Sequence, residues 1–243
     1  PHSWNTDPLA QGYWLETTGN YQNGMYIPAE WASKRLFVKF YGVQSVADLF
    51  VNGNYVGTHR GGATAFTFEI TDKVRFGTDN AMLVVVSNSY RDDVLPTSTD
   101  MNLYGGIYRD ISLMVVSKNH IALGHFGDTG VKITPVLKDG KADIRVETIV
   151  EGEGAVSVEL QDAAGSIVAR AEGADAQLHL DAPHLWDGVK DPYLYTCVVR
   201  LSSDGTVVDE VSTRVGLRTF SVDSRNCLLY TSPSPETGAY LVC

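Results

Sequence analysis

The sequence predicts an all-β chain built as two β-sandwiches in series. Three observations carry this reading: hydrophobic alternation of period two along most of the chain, turn residues at short intervals, and no stretch with a convincing helical period. The 243 residues hold one large domain, or two of roughly 100–120 residues with a core each. They leave no space for two β-domains plus a (β/α)₈ barrel, which alone takes about 250 residues.

In the first block, Arg35–Phe40 alternates around Leu36, Val38 and Phe40. Val46–Val51 and Asn54–Gly57 flank Asn52-Gly53, the strongest short hairpin signal, because both turn positions need positive φ. Phe66–Ile70 alternates cleanly, and the unbroken apolar run Ala81–Val86 predicts a strand buried on both faces. Ile107–Val116 reads as one long final strand. Many short strands with Gly and Asn turns point to a sandwich and away from a parallel α/β sheet.

A second block begins near Ile121, after which Gly124–Gly130 supplies a glycine-rich linker. Strands follow at 131–135, 142–150, 155–160, 166–170, 176–180, 193–201 and 207–215. Seven strands in about 100 residues is the size of an immunoglobulin-like sandwich. The expected division is 1–121, 122–223 and a tail at 224–243, because alternation stops after Val222.

Composition narrows the partners. With 19 Lys+Arg against 29 Asp+Glu the net charge is −10, and no basic cluster exceeds Lys34-Arg35, so nucleic acid is not an expected partner. No run of about 20 apolar residues occurs, so no membrane span is expected. Pro1-His2-Ser3-Trp4 is no signal peptide, and the missing initiator Met predicts a cut N-terminus. The compartment stays open, a periplasmic or secreted parent being one reading. Cys197 shares a strand face with Tyr195 and Val199 and reads as a buried, inert thiol. Neither zinc spacing nor a C-x-x-C pair occurs, and no cofactor is expected.

Several stretches resemble the N-terminal half of a glycoside hydrolase family 2 enzyme, most of all a β-galactosidase. They are Pro1-His-Ser-Trp-Asn5, Val46–Gly53 with Val56–Gly62, Phe66–Asp72 and Asn88–Asp93. Tyr104-Gly-Gly-Ile-Tyr-Arg-Asp-Ile111 is the sharpest match. Pro183-x-Leu-Trp186, Pro192–Thr196 and Arg214-Val-Gly-Leu-Arg-Thr-Phe220 resemble the immunoglobulin-like domain that follows in that family. The resemblance implies a sugar-binding jelly roll (galactose-binding-like) at 1–121, loss of its first strands being one reading, and an immunoglobulin-like sandwich at 122–223. It also implies an absent C-terminal barrel that carries both catalytic glutamates and is their intramolecular partner. Cys227-Leu-Leu-Tyr-Thr-Ser-Pro-Ser-Pro235 departs from the family's entry into that barrel. It resembles instead the translation of a transposon adaptor used in sequencing-library preparation, so 224–243 is expected to be non-native or disordered.

Retaining glycoside hydrolysis needs two carboxyl groups about 5–5.5 Å apart. Asp92, Asp93, Asp100, Asp110, Asp187 and Asp191 are the candidates, and solvated loops account for them better than a catalytic pair, so no catalytic residue is assigned. Asp100, in Asp100-Met-Asn-Leu-Tyr-Gly-Gly-Ile-Tyr-Arg-Asp110, has two readings. By resemblance it contacts sugar hydroxyls and a sodium ion in the intact parent; alternatively it caps the loop between Ser98 and the glycines. Asn23 sits where a Tyr-x-Asn segment donates a substrate-facing amide, or else Asn23-Gly24 is a hairpin turn. No other metal ligand is expected. Arg109 and Asp110 are expected to form an ion pair that fixes their loop, His59-Arg60-Gly61-Gly62 to mark a close backbone approach, and the Trp residues to pack in cores. Carbohydrate, through the intact parent, is the expected partner. The alternative is a free-standing carbohydrate-binding module or adhesin-like tandem sandwich.

Overall fold

The computed structural model describes residues 2–4, 16–95, 104–125, 129–221 and 229–231. The chain divides into two compact units, Pro1–Lys118 and Asn119–Cys243. In the first lie β1 (His2–Trp4), β2 (Thr18–Ile27), β3 (Arg35–Phe40), β4 (Val43–Gln44) and β5 (Val46–Val51). After them come β6 (Asn54–Arg60), β7 (Phe66–Glu69), β8 (Thr78–Ser87), β9 (Gly105–Ile107) and β10 (Ile111–Val116). Three antiparallel sheets result, in the orders β2-β8-β5-β6, β10-β3-β7 and β1-β9-β4. Leu36, Val38 and Phe40 of β3 meet Leu49 and Val51 of β5 and Val84 and Val86 of β8 in one buried core. Full burial of each such side chain is worth about 1.5–3 kcal/mol.

Asn52 and Gly53 have φ of 51° and 79°, as a tight hairpin turn requires. Asn52 also clamps the turn from the side: its amide donates to Lys73 O at 2.9 Å and Asn80 Oδ1 at 2.7 Å, and its Oδ1 accepts from the Ala81 N–H at 3.0 Å.

The structure revises the strand reading in three places. Ile107–Val116 is not one strand. Ile107 pairs within β1-β9-β4 and Ile111 opens the pairing to β3, so Tyr108–Asp110 crosses from one sheet to another. The run Ala81–Val86 buries one face only: Val84 and Val86 are in the core, while Leu83 and Val85 face outward and stay partly exposed. Asn23-Gly24 lies inside β2, paired with Met82 and Ala81 of β8, and is no turn. A 10-residue strand was hidden there because Gly19, Asn20, Asn23 and Gly24 are poor strand formers that a long partner strand nevertheless recruits.

The second unit holds β11 (His120–Ile121), β12 (Val131–Lys138), β13 (Lys141–Thr148), β14 (Val150–Glu151) and β15 (Ala155–Gln161). Then come β16 (Ile167–Glu172), β17 (Asp175–Leu180), β18 (Tyr195–Ser203), β19 (Thr206–Val215), β20 (Thr219–Ser221) and β21 (Leu229–Thr231). A four-stranded sheet β16-β15-β18-β19 and a three-stranded sheet β12-β13-β17 enclose Ile144, Val146, Val158, Leu160, Val199 and Leu201. His120 and Ile121 pair with Glu151 and Val150, which places them in this unit. Beyond Val222, where alternation ends, β21 pairs with β20; the rest of the tail lies outside the described residues. No helix among the described residues is long and apolar enough to cross a membrane.

Cys197 is 1% exposed, and burial pushes its thiol up to about 11. With Cys227 and Cys243 replaced by Ser, we expect a thiol reagent at pH 8 to label native protein about a hundredfold more slowly than free cysteine. Rapid labelling without denaturant would contradict this burial.

His59 stacks on Phe66 with ring centroids 3.8 Å apart, its Nε2 3.1 Å from the Gly61 carbonyl, and burial lowers its pKa from 6.5. Below 6.5 the unfolded chain therefore binds more protons at this site than the folded one, and stability falls with falling pH. His59→Gln is expected to flatten that acid limb, read from melting temperatures of native and variant chains between about pH 5 and 7.

Candidate functional site

One edge of the first sandwich opens into a cleft of about 280 Å³, lined among others by His2, Tyr21, Asn23, Met82, Ile107 and Ile111. Its wall follows from strand alternation. Tyr21, Asn23 and Met25 share one face of β2, and opposite them in register stand Val84, Met82 and Asn80 of β8. Tyr21, Met25 and Met82 pack against the core, so Asn23 stands on the inward face. Yet Asn23 is exposed, because the cleft opens there. Its side-chain amide has no hydrogen-bond partner among the described residues, which leaves two donors and an acceptor directed at a mostly apolar wall.

Tyr21 secures this edge. Its hydroxyl donates to the His2 carbonyl at 2.7 Å and accepts from the Ile107 N–H at 3.3 Å, tying β1, β2 and β9 together. Gly105 and Gly106 make this possible. A Cβ on Gly105 would run into the Trp4 indole, and one on Gly106, whose φ is +102°, would meet the Tyr21 hydroxyl. The glycine pair in the sharpest sequence motif is thus explained by close approach of two aromatic side chains to β9.

Asp100 and the sodium contact implied for it lie outside the described residues. The chain is described again from Tyr104, and Ile107 lines the cleft. Of the other aspartates weighed as catalytic, none lines the cleft. Asp93 is held by Arg91 and Arg60, which keep its carboxyl below the usual range, so it suits an ion-pair role and not that of a general acid. Asp191 meets His184 Nε2 at 2.6 Å in the other unit. No group of three or more metal-ligating side chains occurs among the described residues.

The expected Arg109–Asp110 ion pair does not form. The Arg109 guanidinium lies over the Tyr108 ring, 5.5 Å from its centroid. Backbone bonds hold this loop instead, from the Tyr41 N–H to Asp110 O at 3.0 Å and from the Arg109 N–H to Gly42 O at 3.4 Å. Main-chain partners therefore fix the crossing between the two sheets. Close approach at Gly61-Gly62 is present: a Cβ on Gly62 would strike the Gln44 side chain, and the Tyr108 hydroxyl donates to the Gly62 carbonyl. Trp4 and Trp31 pack against the first core, and Trp14 lies outside the described residues.

Comparison with known proteins agrees with this architecture. The family model described as glycosyl hydrolases family 2, sugar binding domain, matches residues 10–117. A second model, glycosyl hydrolases family 2, matches residues 125–218. The chain belongs to glycosyl hydrolase family 2. It is 34% identical over 92% of its length to a β-glucuronidase of Bacteroides fragilis, of which it covers 35%. It is 29% identical over 82% of its length to a β-galactosidase of Thermoanaerobacter pseudethanolicus, of which it covers 28%. A crystal structure of a putative β-galactosidase from Bacteroides fragilis superposes with a TM-score of 0.85 at 34% identity, covering 91% of this chain and 36% of that one. The chain therefore spans about a third of the length of the relatives it matches.

Proposed function

We propose that this chain is the non-catalytic N-terminal part of a β-galactosidase-like family 2 enzyme. The whole enzyme hydrolyses a terminal β-linked sugar by the retaining route. The exposed Asn23 amide on the cleft wall is the observation that carries this reading. An amide on an inward strand face is ordinarily buried with partners or replaced by an apolar side chain, and here it is directed at open space. A sugar hydroxyl supplies the missing acceptor and donor, and Met82, Ile107 and Ile111 offer apolar surface for a ring face. In this reading Asp100 accepts hydrogen bonds from two sugar hydroxyls, as the family resemblance implies, while the nucleophile and acid/base come from the C-terminal part of the whole enzyme. The partner is carbohydrate, bound when the pocket is complete.

The test is a pair of assays with nitrophenyl β-galactoside and β-glucuronide. The purified chain alone is expected to give no turnover. Residues 1–218 joined to the C-terminal portion of the Bacteroides fragilis β-glucuronidase are expected to restore it. Turnover by the chain alone defeats the reading, as does a folded chimera that stays silent. Micromolar binding of a glycan by the chain alone would turn the reading to a free-standing carbohydrate-binding module.

A further inference from the structure

The second unit carries a separate pocket of about 290 Å³, lined by Trp186, Leu194, Arg214, Val215, Gly216 and Arg218. Its floor is fixed by local chemistry. The Trp186 N–H donates to Leu217 O at 3.2 Å, and the preceding turn is held where the His184 N–H donates to the Tyr195 hydroxyl at 2.8 Å. Gly216 has no space for a side chain, since a Cβ there would lie 2.9 Å from Trp186 Cβ. Over this floor the Arg218 guanidinium lies 4.4 Å from the indole centroid. That contact occupies the face of the guanidinium and leaves its N–H edge for an acceptor in its own plane.

Charge makes the pocket unusual. Arg35, Arg60, Arg91, Arg145, Arg170 and Arg200 each pair with a carboxylate. Arg214 and Arg218 line one pocket, and neither has a carboxylate partner among the described residues. In a chain of net charge −10, acidic groups are plentiful enough to pair them. Arg75 and Arg109 also lack such a partner, but Arg75 donates to Asn52 Oδ1 at 3.2 Å and Arg109 lies over the Tyr108 ring, each apart from any other arginine of this kind; here two arginines line one cavity with an aromatic floor. Their mutual repulsion is relieved by an anion between them, and a planar carboxylate matches the paired N–H edges of a guanidinium.

We infer that this pocket binds a carboxylate group, held by Arg214 and Arg218 above Trp186. The inference does not depend on the cleft of the first unit or on the hydrolase reading. The carboxylate has two chemical sources, a uronic acid or an acidic side chain of a polypeptide. The experiment distinguishes them in the intact 243-residue chain by following the Trp186 indole and Arg218 Nε–H signals in ¹H–¹⁵N spectra at constant ionic strength. The probes are glucuronate, N-acetyl-glutamic acid α-amide, methyl β-galactoside as a neutral sugar, and sodium chloride. Both carboxylates are expected to saturate with dissociation constants on the order of a millimolar, and the tighter of the two identifies the source. Arg214→Gln, a change on the exposed end of β19, is expected to weaken both about tenfold or more. Arg218→Lys keeps the charge and the aliphatic contact but removes the fork, and is expected to weaken both by a similar factor. The inference is overturned if the galactoside or chloride moves the signals as much as the carboxylates do. It is equally overturned if Arg214→Gln, with melting unchanged, binds them as the native chain does.

Discussion

Phe40→Ala is expected to remove about 3–5 kcal/mol from the stability of the first unit. Phe40 is fully buried and stacks on Phe66, its partner across β3 and β7, with ring centroids 4.8 Å apart and an interplanar angle of 13°. Its other cross-strand partner is Ile111, which lines the cleft. Truncation therefore empties the centre of the sandwich and withdraws the support behind the cleft rim. Single domains hold only about 5–15 kcal/mol in total, so the loss consumes a large share of this unit's stability. In a domain of this size it lowers the melting temperature by about 10 °C or more. Calorimetry is expected to show one transition displaced and the other in place, because the second core, with Ile144, Leu160 and Leu201 at its centre, shares no residue with the first. Equal displacement of both transitions would show that the two cores unfold as one.

In the active chimera, Asn23→Ala is expected to lower kcat/KM by about 10- to 100-fold, the cost of about one to two hydrogen bonds to a substrate hydroxyl in the transition state. Asn20→Ala is the internal control. Asn20 is exposed on the opposite face of β2, outside the cleft lining, and is expected to change the constant by less than about twofold. Asp100→Ala is expected to cost about 100-fold or more, because a carboxylate accepting from two hydroxyls makes charge-assisted bonds. An Asn23→Ala chimera indistinguishable from its parent would remove this residue from the sugar pocket and, with it, the main structural support for the proposed function.

Much of the architecture can be read without coordinates. Asn52-Gly53 predicts its hairpin because only a few residue types accept two successive positive φ angles, and both angles are positive here. Alternation at Val46–Val51, Phe66–Glu69 and Ala142–Thr148 translates directly into one buried and one outward face. Glycines at 105 and 106 mark a special backbone position, but what needs the space is decided by Trp4 and Tyr21, each more than eighty positions earlier in the chain. No local pattern encodes such an approach.

The sequence by itself determines that this chain is all-β, acidic, made of two sandwiches and akin to family 2 glycoside hydrolases, since each of these follows from composition, local period and motif order. Tertiary structure alone decides that Asn23 belongs to a strand wall and not to a turn, that Ile107 and Ile111 serve different sheets, and that Arg214 and Arg218 share one pocket with Trp186. The physical reason is common to all three. Strand pairing is a non-local interaction, so register and sheet assignment depend on partners that a short window of residues does not contain.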